Sequence, residues 1–133
     1  MLSAYSSRAL PLLLAALPDL QGLVTEQDEY FVLKTVSPSG WEFGVYSDEE
    51  QMTVEFAEYH CHFGGFEGDS VEADVAATVA FIQALRKEEL ILAVWHRGEQ
   101  YTGSYPLPPT ETPEPVVSGP NQLLTLKKWS EQE

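Results

Sequence analysis

From Thr35 to Leu85 the chain contains no lysine and no arginine. Over its whole length seven basic residues stand against 21 acidic ones, a formal net charge of -14. So little positive charge leaves no electrostatic footprint for phosphate, which argues against nucleic acid, anionic membrane and acidic substrates as partners. Cysteine is also scarce. Cys61 stands alone, which excludes an internal disulfide framework and favours a reducing cytoplasm. Long apolar runs are missing as well. Arg8 and the leucine-rich residues 9–17 imitate a signal peptide, but Leu17-Pro18-Asp19-Leu20 offers no small-x-small cleavage site. The run is also far shorter than the roughly 20 residues that span a bilayer.

Nucleotide and nucleophile motifs are missing too. Phe63-Gly64-Gly65-Phe66-Glu67-Gly68-Asp69 is glycine-rich and precedes a helix, yet it has neither the Walker lysine nor three spaced dinucleotide glycines. Its two acids would repel phosphate, and they are too few for a calcium loop. No Gly-x-Ser-x-Gly is present. Cys61 sits in a negative field, which raises a thiol pKa and argues against a catalytic thiolate.

What is present suits one α+β domain spanning residues 1–133, a length typical of single domains. Hydrophobic residues make up 44% of the chain, enough for a core despite the charge. Leu10, Leu13, Leu14 and Leu17 fall at i, i+3, i+4 and i+7 and predict a first helix. Ser6 or Ser7 would cap it, with Pro11 in the first turn and Pro18 at the end. Gln21–Asp28 reads as a linker. Glu29–Val36, Trp41–Tyr46 and Met52–Tyr59 read as three strands in meander order, joined by Ser37-Pro38-Ser39-Gly40 and the acidic turn Ser47–Gln51. Asp69 with Glu72 predicts a capping box for a helix running to about Glu88. Its apolar stripe is Val71, Val75, Val79, Ile82 and Leu85, with Glu72, Asp74 and Gln83 pointing away.

Leu90–His96 and Gln100–Tyr105 form a hairpin around Gly98. The six prolines between Pro106 and Pro120 predict an extended connection over 106–120. Pro106-Leu107-Pro108-Pro109 within it matches Pro-x-x-Pro. Leu123–Trp129 predicts a last edge strand protected by Lys127 and Lys128. The order is α-βββ-α-ββ(β), a mainly antiparallel sheet with helices packed on one face. The long helix is a candidate crossover, which would allow one parallel pair.

Ten carboxylates fill the cation-free block: Glu42, Asp48, Glu49, Glu50, Glu55, Glu58, Glu67, Asp69, Glu72 and Asp74. Interleaved with aromatic residues, they suit an interface for a basic protein. Asp48, Glu49, Glu50, Glu55, Glu58, Tyr59, Glu67 and Asp69 are the candidate partner contacts. A second reading centres on Glu58-Tyr59-His60-Cys61-His62. If the third strand continues through it, Glu58, His60 and His62 share one face, a ligand set for zinc or another divalent transition metal in a small metal-binding or hydrolytic enzyme.

The run Thr53–Phe63, the helix after it and Leu90–Tyr105 with its Arg97-Gly98 hairpin resemble small acidic bacterial proteins, some of which are toxin-immunity proteins. That resemblance implies a cytoplasmic, non-enzymatic inhibitor that masks a basic toxin domain.

Overall fold

A computed structural model of the chain describes residues 1–65 and 70–130. Helix α1, Ala4–Ala16, leads into a 3-10 turn over Pro18–Leu23. Five strands follow: β1 Val24–Gln27, β2 Tyr30–Val36, β3 Glu42–Ser47, β4 Gln51–Phe56 and β5 Tyr59–Gly64. Then come helix α2, Val71–Arg86, and strands β6 Ile91–Arg97, β7 Gln100–Leu107 and β8 Gln122–Lys127. The fold is α+β with two antiparallel sheets, β1-β2-β3-β4-β5 and β7-β6-β8. Among the described residues no crossover joins parallel neighbours, because α2 carries the chain from one sheet to the other rather than back to the first.

Strand alternation divides the larger sheet into two faces. Phe31, Leu33, Phe43, Val45, Met52, Val54 and Phe56 point to one side and are fully or almost fully buried. Against them lie the helices. Val75, Ile82 and Leu85 of α2 and Leu13 of α1 complete this core. An ion pair between Arg8 and Glu72 links the two helices. The predicted stripe of α2 thus holds, with one correction. Asp74 does not point away but is only 6% exposed, where the Tyr5 hydroxyl donates to it at 2.6 Å. The end of β5 must leave room for that carboxylate. Gly64 has φ +108°, and a Cβ there would lie 2.9 Å from the Glu50 carbonyl and closer still to Asp74.

Caps and linkers differ from the sequence expectation in instructive ways. Ser3, not Ser6 or Ser7, caps α1, its Oγ accepting from the Ser6 amide at 3.1 Å. Ser6 is buried instead and shares a 2.6 Å hydrogen bond with Ser47 Oγ. Pro11 falls mid-helix rather than in the first turn. Both Pro11 and Ser7 are exposed, so the carbonyl that proline leaves unbonded faces water. The stretch taken as a linker supplies the 3-10 turn and β1, which pairs with β2 through a reversal at Asp28. Ser70 caps α2, accepting from the Ala73 amide at 3.1 Å. The expected cap Asp69 lies outside the described residues.

The smaller sheet is built around β6, buried from Ile91 through Trp95. Leu92 and Val94 join the main core, while Ile91 and Ala93 pack on the opposite face with Leu107. β7 runs on to Leu107, so Pro106 ends a strand instead of opening a connection; as an edge strand, β7 tolerates the missing amide. The remaining prolines lie in a strap, residues 108–121, that crosses the face carrying Trp95. There Tyr105 OH donates to the Glu114 carbonyl at 2.8 Å and accepts from the Glu114 amide at 2.6 Å. Arg97 donates to the Ser118 carbonyl at 2.8 Å. Val116 closes over Gly103, whose missing side chain makes that approach possible.

The last described residues stitch the sheets together. Trp129 meets the rings of Phe43 and Phe56 at 5.0 and 5.9 Å. Ser39 Oγ donates to the carbonyls of Lys128 and Trp129. Among the described residues, no helix is long and apolar enough to cross a membrane.

Candidate binding face on the larger sheet

The acidic block does not converge on one surface. The third strand stops at Phe56 and the chain reverses through Ala57 and Glu58, with Ala57 at φ 52°. Glu58 is therefore in a turn, not on a face with the histidines. Lys127 reaches it with Nζ 2.7 Å from both carboxylate oxygens while lying 4.2 Å from the Trp41 ring centre. Only 12% of the Lys127 side chain is exposed, so this lysine secures the two sheets rather than guarding an edge. Tyr59 faces inward, its ring 6.3 Å from Phe81, and its hydroxyl pKa is raised by burial and then by Cys61. Glu72 and Asp74 are engaged by α1, as described. Glu67 and Asp69 lie outside the described residues.

Three of the candidate contacts do gather. Asp48, Glu49 and Glu50 form the β3–β4 turn, and together with Tyr30 they line a shallow concavity of about 420 Å³. Asp48 shapes the turn, its Oδ1 accepting from the amides of Glu50 and Gln51 at 2.8 and 2.9 Å. Glu49 accepts from Tyr30 OH at 3.4 Å. Desolvation first, then the charges of Glu49 and Glu29, raise the Tyr30 pKa. Among the described residues no ion pair reaches Glu49 or Glu50.

This turn borders the outer face of the sheet. Two long cross-strand rows run across that face: Lys34, Gly44, Glu55 and His60 in one, and Thr25, Val32, Tyr46, Thr53 and His62 in the other. Gly44 leaves a gap in the first row between a lysine and a carboxylate. Beside it runs a groove of about 420 Å³ lined by Leu23, Thr25, Gln27, Val32, Lys34, Tyr46 and Glu55. A neighbouring hollow of about 270 Å³ shares Lys34 and Glu55 and reaches Glu42. Tyr46 OH donates to Glu55 at 2.8 Å, and burial, with the bond and charge of Glu55 behind it, pushes the tyrosine up to about 12. The groove thus combines two aliphatic side chains, Leu23 and Val32, with one aromatic ring, a lysine and a half-buried carboxylate.

His60 and His62 are exposed on the same outer face at edge strand β5, their rings 5.5 Å apart. Thr53 Oγ1 lies 2.8 Å from His62 Nδ1, with Gln51 Nε2 at 3.3 Å. The two imidazoles are together as expected, but Glu58 has turned to Lys127. Among the described residues, no three histidine, cysteine or carboxylate groups stand close enough to hold a metal. Cys61 faces the core opposite Val54, and burial pushes its thiol up to about 11.

Sequence reading missed the groove. Its available signal was Gly44 inside the strand Trp41–Tyr46, since a strand glycine commonly marks a close approach or a gap in the surface. Lys34 and Val32 lie on a strand that the sequence marks, but the contribution of Thr25 depended on pairing β1 with β2, which the linker reading concealed. No family model, no curated protein and no solved structure matches the chain.

Proposed function

We propose that the protein is a non-enzymatic binding protein that captures a basic protein partner on the acidic turn and the adjoining outer face of its larger sheet. The resemblance to toxin-immunity proteins makes a basic toxin or effector domain the natural partner, met in the cytoplasm. One observation carries the proposal. Glu49 and Glu50 stand beside Tyr30 and no ion pair among the described residues reaches them, while other acids of the block are taken up by Arg8, Lys127 and Tyr5. Carboxylates of the first kind remain available to draw in a partner, and aromatic side chains beside them supply contact area at low entropic cost. Glu55 and Tyr46 extend the same chemistry into the groove.

The test is recovery of the partner from the native cell with the wild-type chain and with Glu49→Gln/Glu50→Gln. Asp48 is left intact because it holds the turn. At roughly 0.2–1 kcal/mol for each of the two exposed charges, the variant is expected to bind about 2- to 30-fold more weakly with unchanged stability. Equal recovery of a basic partner by both chains would remove the acidic turn from the interface. Recovery of no basic protein at all would remove the proposal.

A further inference from the structure

The smaller sheet carries a different surface. Among the described residues nine large hydrophobic side chains are exposed, and five of them, Val116, Val117, Leu123, Leu124 and Leu126, lie within eleven consecutive positions. The three leucines belong to β8, an edge strand with a partner on one side only. They are 61%, 39% and 44% exposed. An apolar edge strand is a template for a further strand, and soluble proteins normally blunt it with charge. Here the blunting is weak. Lys127 is held by Glu58, and Lys128 lies beyond the strand. Charge also marks this edge in another way. From Pro115 to Ser130 the sequence has no carboxylate, although the chain has 21. Two copies that repel each other almost everywhere can therefore approach here.

We infer that β8 pairs antiparallel with β8 of a second copy of the chain, joining two three-stranded sheets into one of six strands. Self-pairing favours a second copy over an unrelated basic chain, because this edge offers leucines and lysine rather than acid. A two-fold axis perpendicular to the sheet keeps each face continuous, so residues of the same parity must oppose one another. Centring the axis on Thr125 sets Leu124 against Leu126 of the second copy, and Leu126 against its Leu124. Both pairs fall on the face that carries Trp95 and Ala93, since Leu124 is opposite Trp95 and Leu126 opposite Ala93 in the β6 register. Leu123 then meets the aliphatic stem of Lys127. Cross-strand apolar pairs of this kind are the unit of sheet stabilisation.

Sedimentation of the full chain over about a hundredfold concentration range, at low and high salt, reads the association. The expected result is a monomer–dimer equilibrium that shifts toward dimer as salt screens the two negative bodies. Leu124→Glu/Leu126→Glu is expected to be monomeric at every concentration with an unchanged far-ultraviolet spectrum, since both side chains lie at an edge and are already 39% and 44% exposed. Position is read separately. In a Cys61→Ala background, Thr125→Cys is expected to form a disulfide-linked dimer on mild oxidation, whereas Tyr101→Cys on the other edge of the sheet is not. Monomer throughout, a dimer that survives the double glutamate substitution, or crosslinking of Thr125→Cys no faster than Tyr101→Cys would each overturn the inference.

Discussion

At the scale of single residues, burial decides which ionisable groups are still available for chemistry. Cys61 and Tyr46 are both held in their neutral, protonated forms, the first pushed up to about 11 and the second to about 12, in each case chiefly by burial. A folded-state pKa above the unfolded value means that the folded chain binds more protons in the alkaline range. Stability from these groups is therefore complete below about pH 9 and is lost as pH rises through 9–11 for Cys61 and 10–12 for Tyr46. Urea denaturation midpoints across that range should fall steeply for the wild-type chain. They should fall less for Cys61→Ala, and less beyond pH 10 for Tyr46→Phe. A parallel loss in all three chains would place the alkaline sensitivity elsewhere. Cys61, half-buried and with its thiol pKa pushed up, should also react slowly with thiol reagents at neutral pH. Acids sort the same way. Glu58 and Asp74 are structural because Lys127 and Tyr5 reach them, whereas Glu49 and Glu50 keep their charge exposed.

At the scale of elements, periodicity was legible and reversals were not. The alternation of Phe31 with Leu33, Phe43 with Val45 and Met52 with Val54 marks one buried face, and the i, i+3, i+4 spacing of α2 marks its stripe; these follow from hydrophobic burial and need no tertiary context. The β4–β5 reversal escaped because neither Ala57 nor Glu58 is a turn-forming residue by composition. Ala57 adopts φ 52° only because its amide donates to the Glu42 carbonyl at 2.9 Å while the two strands pair around it. That strain is measurable. Ala57→Gly relieves the Cβ penalty of the left-handed region, and should stabilise the chain by about 0.5–1 kcal/mol in equilibrium unfolding. Unchanged or lower stability would mean that the turn is not strained. Asp74 was misread for a related reason. Helical spacing places it near the polar edge of α2, and only the packing of α1 alongside turns that edge inward. The proline strap was recognisable as irregular from its composition, but its role as the cover of β6 depended on Gly103 and Tyr105, which are distant in sequence from Val116 and Glu114.

At the scale of the whole molecule, charge is divided between the two sheets. The acidic turn gathers carboxylates that no ion pair among the described residues reaches, while the stretch from Pro115 to Ser130 carries none of the chain's 21 acids. The two proposed associations therefore answer salt in opposite directions: screening weakens attraction to a basic partner and relieves repulsion between two copies carrying -14 each. Most of this division was visible as a count along the sequence. Which acids remain exposed was not, because the positions of Arg8, Lys127 and Tyr5 relative to the block are set by the fold. The affinity of the captured basic partner as a function of ionic strength tests the central claim most directly. Charge-led capture at Glu49 and Glu50 predicts a dissociation constant that rises steeply with salt, with a shallower slope for Glu49→Gln/Glu50→Gln. A dissociation constant that stays level across the salt range, or a slope untouched by the substitutions, would contradict it.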